Sequence, residues 1–97
     1  MSEMKRVDVG YDGRLFLDTA RMVIDRQWAS ADLIQRRVRV GLVKAGRLME
    51  LLEDAGVVAA ATGYTCGRRE VLVPRADREA AVARLSELMD EAVNADA

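Results

Sequence analysis

Apolar and polar positions alternate with the period of an amphipathic helix in four segments of the chain. These segments are residues 14–27, 31–38, 42–55 and 76–93. Ser30 precedes the second segment as a predicted N-cap, and Gly56 is expected to end the third as a left-handed residue. The apolar faces of the first three segments predict one shared core, made of these side chains: Phe16, Ala20, Val23, Ile24, Leu33, Ile34, Val38, Ala45, Leu48, Met49 and Leu52.

Two β-prone runs follow the third predicted helix. Residues 57–61 and 68–73 flank a glycine-containing loop, which predicts a β-hairpin. Trp28 lies in a short extended link after the first helix, and its large side chain is expected in the core between that helix and the sheet. Two helices that meet at a turn, here Gly41, and are followed by a hairpin have the order of a winged helix-turn-helix.

The predicted fold class is therefore α+β, a winged helix-turn-helix of three helices and a β-hairpin wing with an extra C-terminal helix. It divides the chain into an irregular lead-in at 1–12, a winged-helix domain at 13–75 and the extra helix within 76–97. Asp77 is a candidate cap of that helix. Its apolar stripe either packs on the same domain or pairs with a second copy in a homodimer through residues 76–93. The stripe consists of Ala81, Leu85, Leu88, Met89 and Ala92.

Charge is unevenly distributed along the 97 residues, whose length fits one domain and whose net charge is −1. Residues 33–49 carry five positive charges and no acid, whereas residues 50–61 and the tail from Asp77 onward are acidic. A local basic stripe can attract nucleic acid whatever the net charge. The alternative interpretation is a solvated helix face. The five cations are Arg36, Arg37, Arg39, Lys44 and Arg47.

The residue types present disfavour catalysis. The chain has no His and a single Cys, Cys66, so no His-based triad, thiolate zinc cluster or internal disulfide can form. Gly41 and Gly46 have the spacing of a P-loop but lack the Lys and Ser/Thr that complete it. We expect no enzymatic activity, no metal and no cofactor. Because no signal peptide and no membrane-spanning apolar run are evident, we expect a cytoplasmic location.

A more specific pattern extends from about Tyr11 to Pro74. It consists of Ala29-Ser30, Leu33-Ile34-Gln35-Arg36-Arg37, Val40-Gly41, Ala45, Arg47-Leu48-Met49-Glu50, Glu53, Ala55-Gly56-Val57-Val58 and Arg69-Glu70-Val71-Leu72-Val73. This pattern resembles the gamma domain of the FtsK/SpoIIIE DNA translocases, which act in chromosome segregation. The resemblance implies a winged helix that, in the family, lies at the C-terminus of a hexameric motor. There it reads short polar sequence elements that orient translocation toward the dif region, and it contacts the XerD recombinase.

The chain departs from that family where the third helix begins. Leu42-Val43-Lys44 stands where family members usually have Tyr-Asn-Arg, and Gly46 stands where they usually have Ala. These positions belong to the exposed first turns of the predicted recognition helix. We therefore expect the DNA sequence that this chain binds to differ from the usual target of the family.

Sequence-specific binding of double-stranded DNA is the function predicted from these features. The predicted recognition helix, 42–55, would enter the major groove, and the predicted wing, 62–69, would lie on the backbone or in the minor groove. The candidate base-reading residues are Val43, Lys44, Arg47 and Glu50. The candidate backbone contacts are Ser30, Gln35, Arg36, Arg37, Arg39, Arg68 and Arg69. The alternatives are a dimeric transcriptional regulator of a phage or mobile element, and an adaptor that binds a recombinase or translocase without contacting bases.

Overall fold

Four α-helices and a short antiparallel sheet make up residues 13–61 and 67–96, the part of the chain that the computed structural model describes. α1 (Gly13–Arg26) is followed by β1 (Trp28–Ala29), α2 (Ala31–Ile34) and α3 (Leu42–Asp54). α2 continues as a π-helical turn at Gln35–Arg39. The order is completed by β2 (Arg69–Glu70), a 3-10 helix (Arg75–Asp77) and α4 (Arg78–Asp96). The predicted α+β class is confirmed, and the four predicted helices are present with ends shifted by a few residues.

The core lies between α1 and α3, as the apolar spacing of these helices predicts. α2 adds Leu33 and Ile34, whereas Val38, in the π-helical turn, is only half-buried. Leu51 of α3 is buried as well. All the predicted core residues of α1 and α3 are buried: Phe16, Ala20, Val23, Ile24, Ala45, Leu48, Met49 and Leu52.

A glycine ends α3, as predicted. Gly56 has a φ of 80°, in the left-handed region that residues with a Cβ rarely adopt. Its N–H donates to the carbonyl of Glu53 at 3.0 Å, and the N–H of Val57 donates to the carbonyl of Leu52 at 2.9 Å. This is the Schellman pattern, in which two otherwise unpaired carbonyls of the last turn accept hydrogen bonds. The chain thereby leaves α3 toward the sheet with Val57 already buried.

The sheet joins segments that are distant in sequence. β1 pairs with β2 in the antiparallel sense, with Trp28 opposite Glu70. On the other side of β2, Val58 forms an antiparallel bridge with Val71, and the N–H of Ala59 donates to the carbonyl of Glu70 at 2.9 Å. The two runs predicted to form a hairpin therefore lie side by side at this bridge. The regular strand pairing, however, is made with β1, which precedes α2.

α4 packs against α1 and the core through the apolar stripe predicted from the sequence. Leu85 is only 3% exposed and Val82 is also buried. Ala81, Leu88 and Met89 are partly buried against the same core. This packing favours the first of the two interpretations of the stripe, an intramolecular one.

Polar contacts fix the start of α4 to the end of α1. The Nε and Nη2 atoms of Arg75 both donate to the backbone carbonyl of Asp25, at 3.0 and 2.8 Å. Arg78 donates to the Asp25 carboxylate at 2.6 Å and to the Glu79 carboxylate at 2.7 Å. These hydrogen bonds, that of Asp25 first, raise the pKa of Arg78 above its ordinary value. Asp77, the candidate cap, lies in the 3-10 helix immediately before α4.

Candidate nucleic-acid interface

The outward face of α3 carries the residues predicted to read bases. Val43, Arg47 and Glu50 are exposed on the side of the helix opposite Ala45 and the rest of the buried face, and Lys44 is exposed on its flank. The guanidinium of Arg47 lies 3.8 Å from the Glu50 carboxylate, an i,i+3 pair in which both side chains remain more than half exposed. Such an exposed pair is weak. Arg47 can therefore exchange this partner for a stronger acceptor at little cost.

The turn between α2 and α3 concentrates positive charge. Arg36, Arg37 and Arg39 are exposed in the π-helical turn, and Gln35 is half-buried. Arg39 has a φ of 63°, so the helix ends there and the chain turns toward α3. Arg36 pairs with Asp32, four residues earlier. Among residues 13–61 and 67–96, no ion pair is formed by Arg37 or Arg39, whose charges are available to an anion.

An open cleft of about 390 Å³ lies beside this turn. Arg26, Arg36 and Arg37 line it together with the apolar surfaces of Trp28 and Leu33. Several guanidinium groups around this cleft suit an anion such as a phosphate, because their charges attract it and their planar N–H groups can form paired hydrogen bonds to its oxygens.

Trp28 is half-buried, so the prediction that it lies in the core is wrong. Its strand has only two residues and stands at the edge of the sheet, which leaves the side chain in contact with the cleft. The guanidinium of Arg68 lies 3.9 Å from the centroid of the Trp28 ring, a cation–π contact. Arg68, a predicted backbone contact, thus lies next to the same cleft as Arg36 and Arg37.

Two of the predicted backbone contacts form hydrogen bonds within the domain. The Oγ atom of Ser30 is buried and accepts a hydrogen bond from the N–H of Leu33 at 3.0 Å, as the predicted N-cap. Arg69 donates to the Glu53 carboxylate at 3.0 Å and to the carbonyl of Ala59 at 3.1 Å. Its side chain is only 18% exposed. Both residues stabilise the scaffold, and their contact with DNA stays a prediction.

Sequence reasoning missed Arg26 and Trp28, which border this surface, and placed Leu42 on the exposed first turns of the third helix without counting it among the contacts. Arg26 is the last residue of α1 and Trp28 begins β1, and both line the cleft beside the turn after α2. Leu42 is 65% exposed at the start of α3, adjacent to Val43. The signal for Leu42 was present in the sequence, because it falls outside the buried stripe that begins at Ala45.

The described residues were also compared with the requirements of a metal site and of a membrane-spanning helix. In residues 13–61 and 67–96, no group of three or more His, Cys, Asp or Glu side chains is arranged to hold a metal ion. No helix in that part of the chain is long and apolar enough to cross a membrane. Tyr64 and Cys66, in the predicted wing, lie outside the described residues.

The sequence is similar to one protein family and to several DNA translocases. Residues 10–74 match the Ftsk gamma domain family. The DNA translocase FtsK of Tropheryma whipplei is 42% identical over 78 residues, which are 80% of this chain and 10% of that protein. DNA translocase FtsK of Mycobacterium tuberculosis is 44% identical over 66 residues, 68% of this chain and 8% of that protein. That of Chlorobaculum tepidum is 44% identical over 70 residues, 72% of this chain and 8% of that protein.

These matches show where the similarity lies and how far it extends. The chain spans a tenth or less of the length of these three relatives. No solved structure matches it significantly. The family match covers α1 to the end of the sheet and stops just before the 3-10 helix that leads into α4. On the match to residues 10–74 and the identity to these relatives, the chain belongs to the FtsK gamma domain family.

Proposed function

We propose that this chain is a winged-helix domain that binds double-stranded DNA sequence-specifically. α3 serves as the recognition helix in the major groove, and the segment at 62–69 contacts the backbone or the minor groove as the wing. The observation that carries this proposal is the segregation of charge. The π-helical turn and the outward face of α3 present five cations, in a chain whose net charge is −1.

The cations of the turn after α2 are the proposed phosphate contacts. Arg37 and Arg39 have no ion pair within the described part of the chain, and Arg36 has only an exposed i,i+4 partner. Arg68 adds a further cation beside the cleft through its contact with Trp28, which lines it. Each phosphate neutralised by such a residue releases counterions, so binding weakens as salt is added.

Arg47 is the proposed centre of base recognition. It lies in the second turn of α3 with its side chain exposed, and a guanidinium can bond in a bidentate way to O6 and N7 of guanine. Glu50, one turn further, can orient Arg47 or accept a hydrogen bond from the amino group of cytosine. Lys44 lies on the same exposed surface and is proposed to contact a base edge or a nearby phosphate.

The similarity to DNA translocases suggests the process. The three relatives described above are named DNA translocase FtsK, and this chain corresponds to a small part of each. We propose that the domain recognises DNA for a translocase of this kind, so that sequence elements in the DNA guide the motor during chromosome segregation.

The charge reversal Arg47→Glu tests the proposal. Sites are first selected from a random duplex library with the native chain, and affinity is then measured for the selected site and for a scrambled duplex. Loss of one bidentate contact costs about 1 to 3 kcal/mol, so Arg47→Glu should lower affinity for the selected site about 5- to 150-fold. Arg84→Glu, at an exposed cation of α4, is the matched control and should bind as the native chain does.

Salt dependence separates DNA binding from the adaptor alternative. The logarithm of the binding constant should fall against the logarithm of salt concentration with a slope of about −0.9 per phosphate contact. Replacing Arg37 by Ala should reduce this slope by about one contact without changing sequence preference. Unchanged affinity in Arg47→Glu would contradict the proposed recognition helix. Negligible binding to any duplex at low salt would contradict DNA binding itself and favour a protein-binding adaptor.

A further inference from the structure

Two large apolar side chains project into solvent where α3 begins. Leu42 is 65% exposed and Val43 is 88% exposed. Across residues 13–61 and 67–89, the only other large hydrophobic side chain that is exposed is Leu72, at 52%. Gly41 precedes the pair as the N-cap, and the buried face of α3 starts only at Ala45. Leu42 and Val43 therefore contribute neither to the core nor to the cap, and their exposure needs another explanation.

The surroundings of this pair are cationic. Lys44 and Arg47 follow it on α3, and the arginines of the π-helical turn precede it. A partner that fits this surface must present a small apolar group among negative charges. The major groove of DNA does so, because the C5-methyl group of thymine is the apolar group on its base edges and rows of phosphates border the groove.

The spacing along α3 places this apolar contact beside the proposed guanine contact. Val43 and Arg47 are four residues apart, so they share one face of the helix and lie about 6 Å apart along its axis. Successive base pairs are about 3.4 Å apart. The two side chains can therefore reach bases within about two base pairs of each other. The β-branched side chain of Val43 is also rotationally restricted in a helix, so little freedom is lost on contact.

We propose that Val43, flanked by Leu42, reads a thymine through its methyl group, within about two base pairs of the base that Arg47 contacts. This inference rests on the proposed DNA binding and names the base that its site requires. A duplex carrying thymine at this position should bind more tightly than the same duplex carrying deoxyuridine, which lacks only the methyl group.

Replacement of thymine by deoxyuridine tests the inference. Each thymine of the selected site is exchanged in turn, and affinity is measured for the native chain and for Val43→Ala. In the native chain, one exchange should weaken binding about four-fold, the effect of about 0.8 kcal/mol for one buried methyl group. In Val43→Ala the same exchange should change affinity by less than about 1.5-fold. Val43 is exposed and Ala is the better helix former, so this variant should fold.

Leu72→Ala is the matched control, since it removes the third exposed apolar side chain from the segment between β2 and the 3-10 helix, outside α3. It should retain the four-fold difference between thymine and deoxyuridine. The inference is overturned if no exchange weakens binding, if the selected site has no thymine within two base pairs of the base contacted by Arg47, or if Val43→Ala keeps the full difference. In each of these cases sequence-specific binding can still occur, so the proposed function would stand. Absence of specific binding would overturn both.

Discussion

Leu85→Ala tests whether α4 is an integral part of the folded domain. The family match ends at residue 74, yet Leu85, eleven residues later, is only 3% exposed and belongs to the core that α1 and α3 build. If α4 packs as described, truncating this side chain removes buried apolar surface and leaves a cavity. If α4 were an appendage, the same change would have almost no effect on stability.

The expected loss follows from the position of Leu85. Buried Leu→Ala substitutions cost about 2 to 5 kcal/mol, depending on how far the surroundings relax. The neighbouring side chains Leu88 and Met89 are only partly buried and can move into part of the space. We therefore expect a loss of about 2 to 4 kcal/mol. Small domains have a free energy of unfolding of about 5 to 15 kcal/mol, so this loss is a large fraction of the total.

Urea and thermal unfolding measure this loss. The midpoint of the urea transition should fall with little change in slope, and Tm should fall by at least about 8 °C, since each kcal/mol corresponds to about 4 to 8 °C in a domain of this size. Arg84→Ala is the control, because Arg84 is exposed and pairs only with Glu87 in the described part of the chain. Equal unfolding curves for Leu85→Ala and Arg84→Ala would refute the packing of α4 on the core.

Two further substitutions test local features of the scaffold. Gly46→Ala should raise the free energy of unfolding by about 0.5 to 1 kcal/mol, because Gly46 lies inside α3 and an added Cβ meets no atom within 4 Å. A lower urea midpoint than that of the native chain would contradict this prediction. Ser30→Ala should lower stability by about 1 kcal/mol, since it removes the acceptor of the Leu33 N–H. Ser30→Thr, which retains that oxygen, should unfold close to the native chain, and equal losses in both variants would contradict the capping role.

The long amphipathic helices were predictable from the sequence, whereas the π-helical turn after α2 was not. α1 and α3 each extend over three or more turns, so their apolar spacing identifies both the helix and its buried face. α2 and the π-helical turn together make only about two turns. In so short a segment, periodicity does not distinguish a regular helix over 31–38 from α2 followed by a π-helical turn, which carries one residue more per turn.

Contacts that depend on the tertiary structure could not be predicted from the sequence, and they determine part of the candidate site. Arg69 was predicted to contact DNA from its residue type and from the family resemblance. Its hydrogen-bond partners, Glu53 and the carbonyl of Ala59, are 16 and 10 residues away, and no local pattern identifies them. The cleft beside the π-helical turn likewise depends on how α1, β1 and α2 pack together, because its lining residues come from the end of α1, from β1, from α2 and from the turn itself. By contrast, the exposed cations of α3 follow directly from helical periodicity.

The contact between Arg68 and Trp28 also gives the domain an intrinsic fluorescent probe of the cleft. Trp28 is the only tryptophan of the chain, so all of its indole fluorescence arises at the border of the cationic cleft. An anion that draws the Arg68 guanidinium away from the ring changes the environment of that single fluorophore. Occupation of the cleft can therefore be followed as a change in intrinsic emission, in the native sequence and without a label.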